Sequence, residues 1–188
     1  MSEIWYETAQ PTDPVTQGDL ITDCPVLTWQ ASTEFDADKP EDTLKAARRA
    51  VRTDVVVMTQ ACDLAEHHVH NVTLCPHLAL SRYKQLWEED LKAKDQNPTT
   101  KAWKKHCEQL KKGFAWNLAL LDAVPDGEVR VVDFHHVFTV PRSFLEAYLQ
   151  ATKVARHRLL PPYREHLSQA FSRFFMRVGL PTPVTQSW

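Results

Sequence analysis

Cys62, Asp63, His67, His68 and His70 place five potential metal ligands within nine residues. Thiolate and neutral imidazole are preferred donors to Zn2+, so Cys62, His67, His68 and His70 are expected to form a structural zinc site. His68 and His70 are two apart and share a face if the chain is extended there. Cys75 is a less favourable fourth ligand. In a regular hairpin centred near residue 66 it lies opposite Met58, while Cys62 lies opposite Asn71; four residues of strand span about 13 Å. Cys24 or His135 remain as donors from elsewhere in the chain. Two other readings stay open. Cys62 becomes a nucleophile if a histidine sits within hydrogen-bond reach to take its proton. Alternatively Cys62 and Cys75 are small buried apolar residues and the histidines a solvated loop.

Asp133-Phe134-His135-His136 is a second chemical cluster. Alternation along a strand puts one histidine on each side and Asp133 with His135, which suits a carboxylate orienting an imidazole. Basic residues gather in three places: Arg48, Arg49 and Arg52; the five lysines from Lys101 to Lys112; and Arg156, His157 and Arg158 with Arg164, Arg173 and Arg177. Arg164, Arg173 and Arg177 fall on the side of a terminal helix opposite its apolar face. Convergence of such groups makes a surface for phosphates or for a partner. The bland alternative is charge for solubility.

The elements that must position these groups read as α+β. Residues 1–17 are polar and form an extended arm. Gly18 to Ile21 opens a strand, and Pro25 to Trp29 is a second strand or its continuation past a bend. A helix from Pro40 to about Val51 has acidic residues at its positive end and Lys45, Arg48 and Arg49 in its later turns. Asp54-Val-Val-Val-Met-Thr59 is an unbroken β-branched run, which predicts burial on both faces. Val72 to Cys75 pairs with it, and Pro76 ends it. Residues 79–112 form an inserted helical hairpin, broken at Asn97-Pro98, capped at Thr99 or Thr100, and closed by Gly113. Phe114 to Leu121 and Val129 to Val140 are strands, the second kinked at His135-His136. Pro141 opens a helix to about Ala151. In the terminal helix over 161–180, Leu167, Ala170, Phe171, Phe174, Phe175 and Val178 recur at 3–4 spacing. The whole, 1–188, is expected to be one domain.

The chain has 188 residues with a net charge of -2, so no global field draws it to polyanions. The start lacks the basic and apolar regions of a secretory signal, and no apolar run approaches a membrane span. A cytoplasmic location, no membrane partner and reduced thiols are expected. Four glycines against twelve prolines leave no glycine-rich phosphate loop.

Two blocks carry a resemblance. One is Gly18-Asp19-Leu20-Ile21 with Asp54 to Leu64 and Val72 to Pro76; the other runs from Arg158 to Pro181. Together they resemble a bacterial protein family of uncharacterised function. The first block also resembles the MazF/PemK toxins, which implies a small SH3-like barrel and cleavage of RNA. The hydroxyl residue of that pattern is missing after Pro76, where His77-Leu78-Ala79-Leu80 follows, and Arg52 is not followed by proline. The expected fold is therefore an SH3-like barrel or a curved antiparallel sheet with an inserted helical hairpin and C-terminal helices. The expected function is a non-enzymatic binding or regulatory module that acts through a partner protein, a second copy of itself or a nucleic acid. The alternative is a nuclease of MazF/PemK-like fold or a metal-dependent hydrolase.

Overall fold

The computed structural model describes residues 4–30, 34–66, 68–125 and 127–176. Its elements follow the order β1 (Tyr6–Ala9), β2 (Asp19–Trp29), α1 (Pro40–Ala47), β3 (Arg48–Val57), α2 (Ala61–Ala65), β4 (Asn71–Ala79), α3 (Leu80–Ala93), α4 (Thr100–Lys111), β5 (Leu118–Leu121), β6 (Arg130–Asp133), β7 (Phe138–Pro141), α5 (Arg142–Thr152), β8 (Arg156–Leu159) and α6 (Tyr163–Phe175). The strands make one antiparallel sheet in the order β1-β8-β2-β3-β4-β6-β5, with β7 also paired to β4. The sheet is not closed into a barrel. Its end strands β1 and β5 pair with β8 and β6 and not with each other, so an open sheet replaces the expected SH3-like barrel.

The Val55-Val56-Val57 run is fully buried, as its β-branched composition predicts. Val55 and Val57 pack with Ile21, Val26, Val72 and Leu74 under Leu145 and Leu149 of α5. Val56 faces the other way, with Leu20, Cys75, Val132 and Phe134, under Leu167 of α6. Apolar side chains on both sides of one strand therefore recruit a helix to each face. The helical hairpin packs separately, with Leu110 and Tyr83 against Leu118 and Val131.

Strand β2 is one strand rather than two. An extra residue between Ile21 and Cys24 makes a bulge in its pairing with β3. Asp23 takes the left-handed conformation there (φ 52°), and its N–H donates to Asp54 Oδ1 at 3.0 Å. Bulges bend a strand and re-aim the residues beyond them. Before the bulge Asp19 and Leu20 pair with β8; beyond it β2 pairs with β3 alone. Gly18 enters β2 at φ +84°, and a Cβ there would lie 2.9 Å from that of Leu159, so glycine is required on both counts.

Strand β4 runs through Pro76 to Ala79 instead of ending at the proline. The hydrogen bonds Met58 N–H to Thr73 and Leu80 N–H to Val129 fix which way the backbone points: odd residues toward β3, even ones toward β6 and β7. Pro76 thus turns its missing N–H to the edge where pairing passes from β7, which ends at Leu74, to β6, which starts at His77. The turn at 134–137 interrupts the partner strand opposite that point, so the ladder loses no bond to the proline.

Three further expectations change. The 1–17 arm contains β1, paired to β8. Helix α1 stops at Ala47, and Arg48 and Arg49 belong to β3 because they pair with Trp29 and Thr28 of β2. The strand expected from Phe114 begins only at Leu118. The hairpin α3–α4 forms as expected, with Thr99 Oγ1 accepting from Ala102 N–H at 3.1 Å and Gly113 at φ +67° past its end. No helix among the described residues is long and apolar enough to cross a membrane.

Candidate functional site

One cleft lies beyond the bulge in β2. Past Cys24, Gln30 N–H donates to Ala47 O, so the even residues of this segment point their backbone groups at β3 and the odd ones away from it. Leu27 and Trp29 thus present N–H and C=O outward, while outward Pro25 has no N–H to leave unpaired. Strand β7 mirrors this. Arg142 N–H donates to His70 O, so Val140 and Phe138 bond to β4 while Thr139 and Pro141 face outward. Among the described residues neither outward edge pairs with a strand. A cavity of about 700 Å3 opens between them, lined by Leu27, Thr28 and Trp29 of β2, by Leu44 and Lys45 of α1, by Arg48, and by residues 135–139. Trp29 is 69% exposed and Leu27 63%.

The 134–137 turn brings both histidines of the second cluster to this cleft. Asp133 holds them: Oδ2 lies 3.1 Å from His136 Nδ1 and Oδ1 accepts from His135 N–H at 2.9 Å. His135 Nδ1 also meets Asn117 Nδ2 at 3.1 Å. The kink expected at His135-His136 is present, but the two rings are not on opposite faces of a regular strand, because they have left the ladder.

A second, polar cleft of about 710 Å3 lies along α6, lined by Gln17, Gln60, Glu165, His166, Ser168, Gln169, Ser172, Arg173 and Met176. It brings Gln60, just before α2, beside α6. Arg164 Nε donates to Glu165 Oε1 at 2.7 Å, while Glu165 Oε2 is buried without a hydrogen-bond partner. Burial pushes the Glu165 carboxyl up, but Arg164 outweighs it and holds the pKa below the usual value.

The expected zinc ligands are not gathered. Cys62 is exposed on α2, with its thiol directed at Gln60 Oε1 (3.7 Å) and Asp63 Oδ1 (3.9 Å). His68 Nε2 faces Glu66 at 3.3 Å, and His67 lies outside the described residues. Among the described residues no three histidine, cysteine, aspartate or glutamate side chains are placed to share a metal ion, and no imidazole stands as a base on the Cys62 thiol. Cys75 lies opposite Val56, two residues from its expected position. It is buried, as is Cys24. Burial pushes the Cys75 thiol up to about 12 and the Cys24 thiol up to about 11, so neither is available as a thiolate.

Several of the expected basic groups are engaged within the fold. Arg156 and Arg158 turn inward on the fully buried Asp19: Arg156 Nε donates to Oδ2 at 2.7 Å and Arg158 Nε to Oδ1 at 2.5 Å. Arg156 also ties down the carbonyls of Gln10, Asp13 and Pro14, which pins the arm. Arg52 pairs with Asp23, and Arg142 with Glu146. Of the expected surface trio, Arg164 pairs with Glu165, Arg173 is exposed at the polar cleft and Arg177 lies outside the described residues.

Sequence reasoning missed Leu27 and Trp29 as site residues. Their signal was present: two large apolar residues at the odd positions of a strand whose even positions, Cys24 and Val26, are buried. It also missed His77, which is 2% exposed with neither ring nitrogen hydrogen-bonded. Burial lowers its pKa to about 4; Asp54 opposes that shift and Arg130 adds to it. Comparison of the chain with protein-family models, with curated proteins and with solved structures finds no match.

Proposed function

We propose that this chain is a non-enzymatic binding module that acts through a partner protein seated in the cleft between β2 and β7. One observation carries the reading: two unpaired strand edges border a cavity of about 700 Å3 whose wall includes exposed Leu27 and Trp29. Concave apolar surface left open on a folded domain marks an interaction site. A protein partner is favoured over a nucleic acid because Arg142, Arg156 and Arg158 are turned into ion pairs within the fold, which makes them poor contacts for a phosphate backbone. Zinc has no step in this reading, since the described ligands do not fit it. The test is co-purification from bacterial cells with the wild type and with a Leu27→Glu, Trp29→Glu double variant. A partner recovered with the first and lost with the second, at unchanged thermal stability, is the expected result. Equal recovery removes the cleft from the reading.

A second reading, RNA cleavage at the polar cleft, is favoured by His166 and Arg173 lining one cavity with Gln17 and Gln60. There an imidazole would take the proton of a 2′-hydroxyl as its oxygen bonds to the adjacent phosphorus, a guanidinium would hold the phosphate, and the P–O5′ bond would break with the departing 5′-oxygen taking a proton from water. A ribonuclease assay with His166→Ala beside the wild type decides it: RNA cut by the wild type and spared by the variant supports it, and intact RNA with both removes it.

A further inference from the structure

We propose that the cleft takes an extended acidic segment of a partner protein, added as a strand to the outward edge of β2. The inference rests on the partner-binding reading and specifies what the partner presents. Three features of the cleft argue for it.

The first is backbone chemistry. Leu27 and Trp29 each present an outward N–H and C=O to which no described strand hydrogen-bonds, and Thr139 does the same from β7, the strand that lies beside this edge. A strand that supplies matching groups adds main-chain hydrogen bonds along such an edge. A helix brings its own backbone already satisfied and offers nothing to these groups. The proline positions limit the register. Pro25 and Pro141 stand at outward positions of the two edges, so pairing on β2 is confined to the stretch from Leu27 to Trp29.

The second is the side-chain pattern. Leu27 and Trp29 lie on one face of β2, two residues apart, and Leu44 and Val137 line the same cavity. All four are exposed large hydrophobic residues. A bound strand displays every second side chain to one side, which matches apolar residues at alternate positions.

The third is charge. Lys45 and Arg48 line the cleft with His135 and His136, both held by Asp133, and among the described lining residues Glu41 is the one carboxylate. Lys45 meets Asp42 only at 3.8 Å, both side chains being exposed, a contact that holds little of its charge. No described acidic group pairs with Arg48. A carboxylate on the incoming strand finds Arg48, which no described acidic group pairs, and Lys45, held only by an exposed contact to Asp42.

The experiment is selection from a displayed library of random peptides of about ten residues on the intact protein, followed by fluorescence polarisation with the enriched peptides. The expected peptides alternate apolar residues with Asp or Glu. Affinity should fall at least tenfold with Trp29→Glu, fall several-fold with Arg48→Glu, weaken as salt rises and vanish when alternate peptide nitrogens are methylated. Enriched peptides that are basic, or that bind equally when methylated, overturn the strand inference. The partner-binding reading survives that result if the partner is still lost with the Leu27→Glu, Trp29→Glu variant. Peptides indifferent to Trp29→Glu bind elsewhere and overturn the site itself. Light scattering adds one outcome: a dimer that Trp29→Glu converts to monomer makes a second copy the occupant and overturns the acidic-peptide proposal.

Discussion

Removal of the imidazole of His77 should make the protein less sensitive to acid. His77 sits on β4 beside Val132 of β6, buried on all sides, with no hydrogen bond to either ring nitrogen. Its ring is neutral in the folded protein because burial lowers the pKa from 6.5 to about 4. In the unfolded chain it takes a proton near its ordinary value. Above about pH 6.5 neither state binds the proton and the group is silent. As the pH falls below that, the unfolded state gains a proton that the folded state refuses, so stability falls by about 1.4 kcal/mol per pH unit. The loss levels off below about pH 4, where the folded state is protonated as well. Between pH 7 and pH 5 the penalty is about 2 kcal/mol. His77→Leu keeps similar volume and has nothing to protonate. Near pH 7 it should be neutral or stabilising by about 1–2 kcal/mol, because it also removes two unsatisfied polar atoms. Urea unfolding of the wild type and His77→Leu near pH 7 and near pH 5 measures the difference directly. Other titrating groups cancel in the comparison. The stability gap should widen by about 2 kcal/mol in favour of the variant at the lower pH. A gap that stays constant within about 0.5 kcal/mol would refute the reasoning and mean that His77 is solvated or partnered in the native state.

Three more outcomes are expected from the same structure. Asp19→Asn leaves Arg156 buried without its counter-charge, so urea unfolding should show a loss of about 3–5 kcal/mol, with proteolysis at the 10–16 arm rising in parallel. Thiol labelling of the native protein should modify Cys62 rapidly and Cys24 and Cys75 only on unfolding, because the latter two are buried and their thiolates disfavoured; mass spectrometry of the labelled peptides reads the order. Metal analysis of protein purified without an affinity tag, wild type beside Cys62→Ser, should return no stoichiometric zinc, since the described ligands are not gathered; one zinc per chain lost in the variant would restore the Cys62, His67, His68 and His70 site.

Elements whose burial is written in a local period could be read from the residues alone. Three consecutive valines at 55–57 require two covered faces, and β3 has them. The spacing of Leu167, Ala170, Phe171, Phe174, Phe175 and Val178 predicts one apolar helix face; α6 packs the first four against the sheet, Phe175 is exposed, and Val178 lies outside the described residues. Thr99 and Gly113 mark the limits of α4 by their own backbone chemistry. Which strand edges meet and which stay open depends on the fold as a whole. Arg48 reads as helix by local pattern but is drawn into β3 by pairing with Trp29. Pro76 reads as a strand end but is tolerated where β4 changes partners. Arg156 reads as surface charge but is held by Asp19, 137 positions earlier. The cleft likewise joins residues 27–29 to residues 135–139. Local periodicity reports which side chains must leave water. Register, bulges and ion pairs between distant segments are fixed by competition over the whole chain, and the open edge that forms the candidate site is a product of that competition.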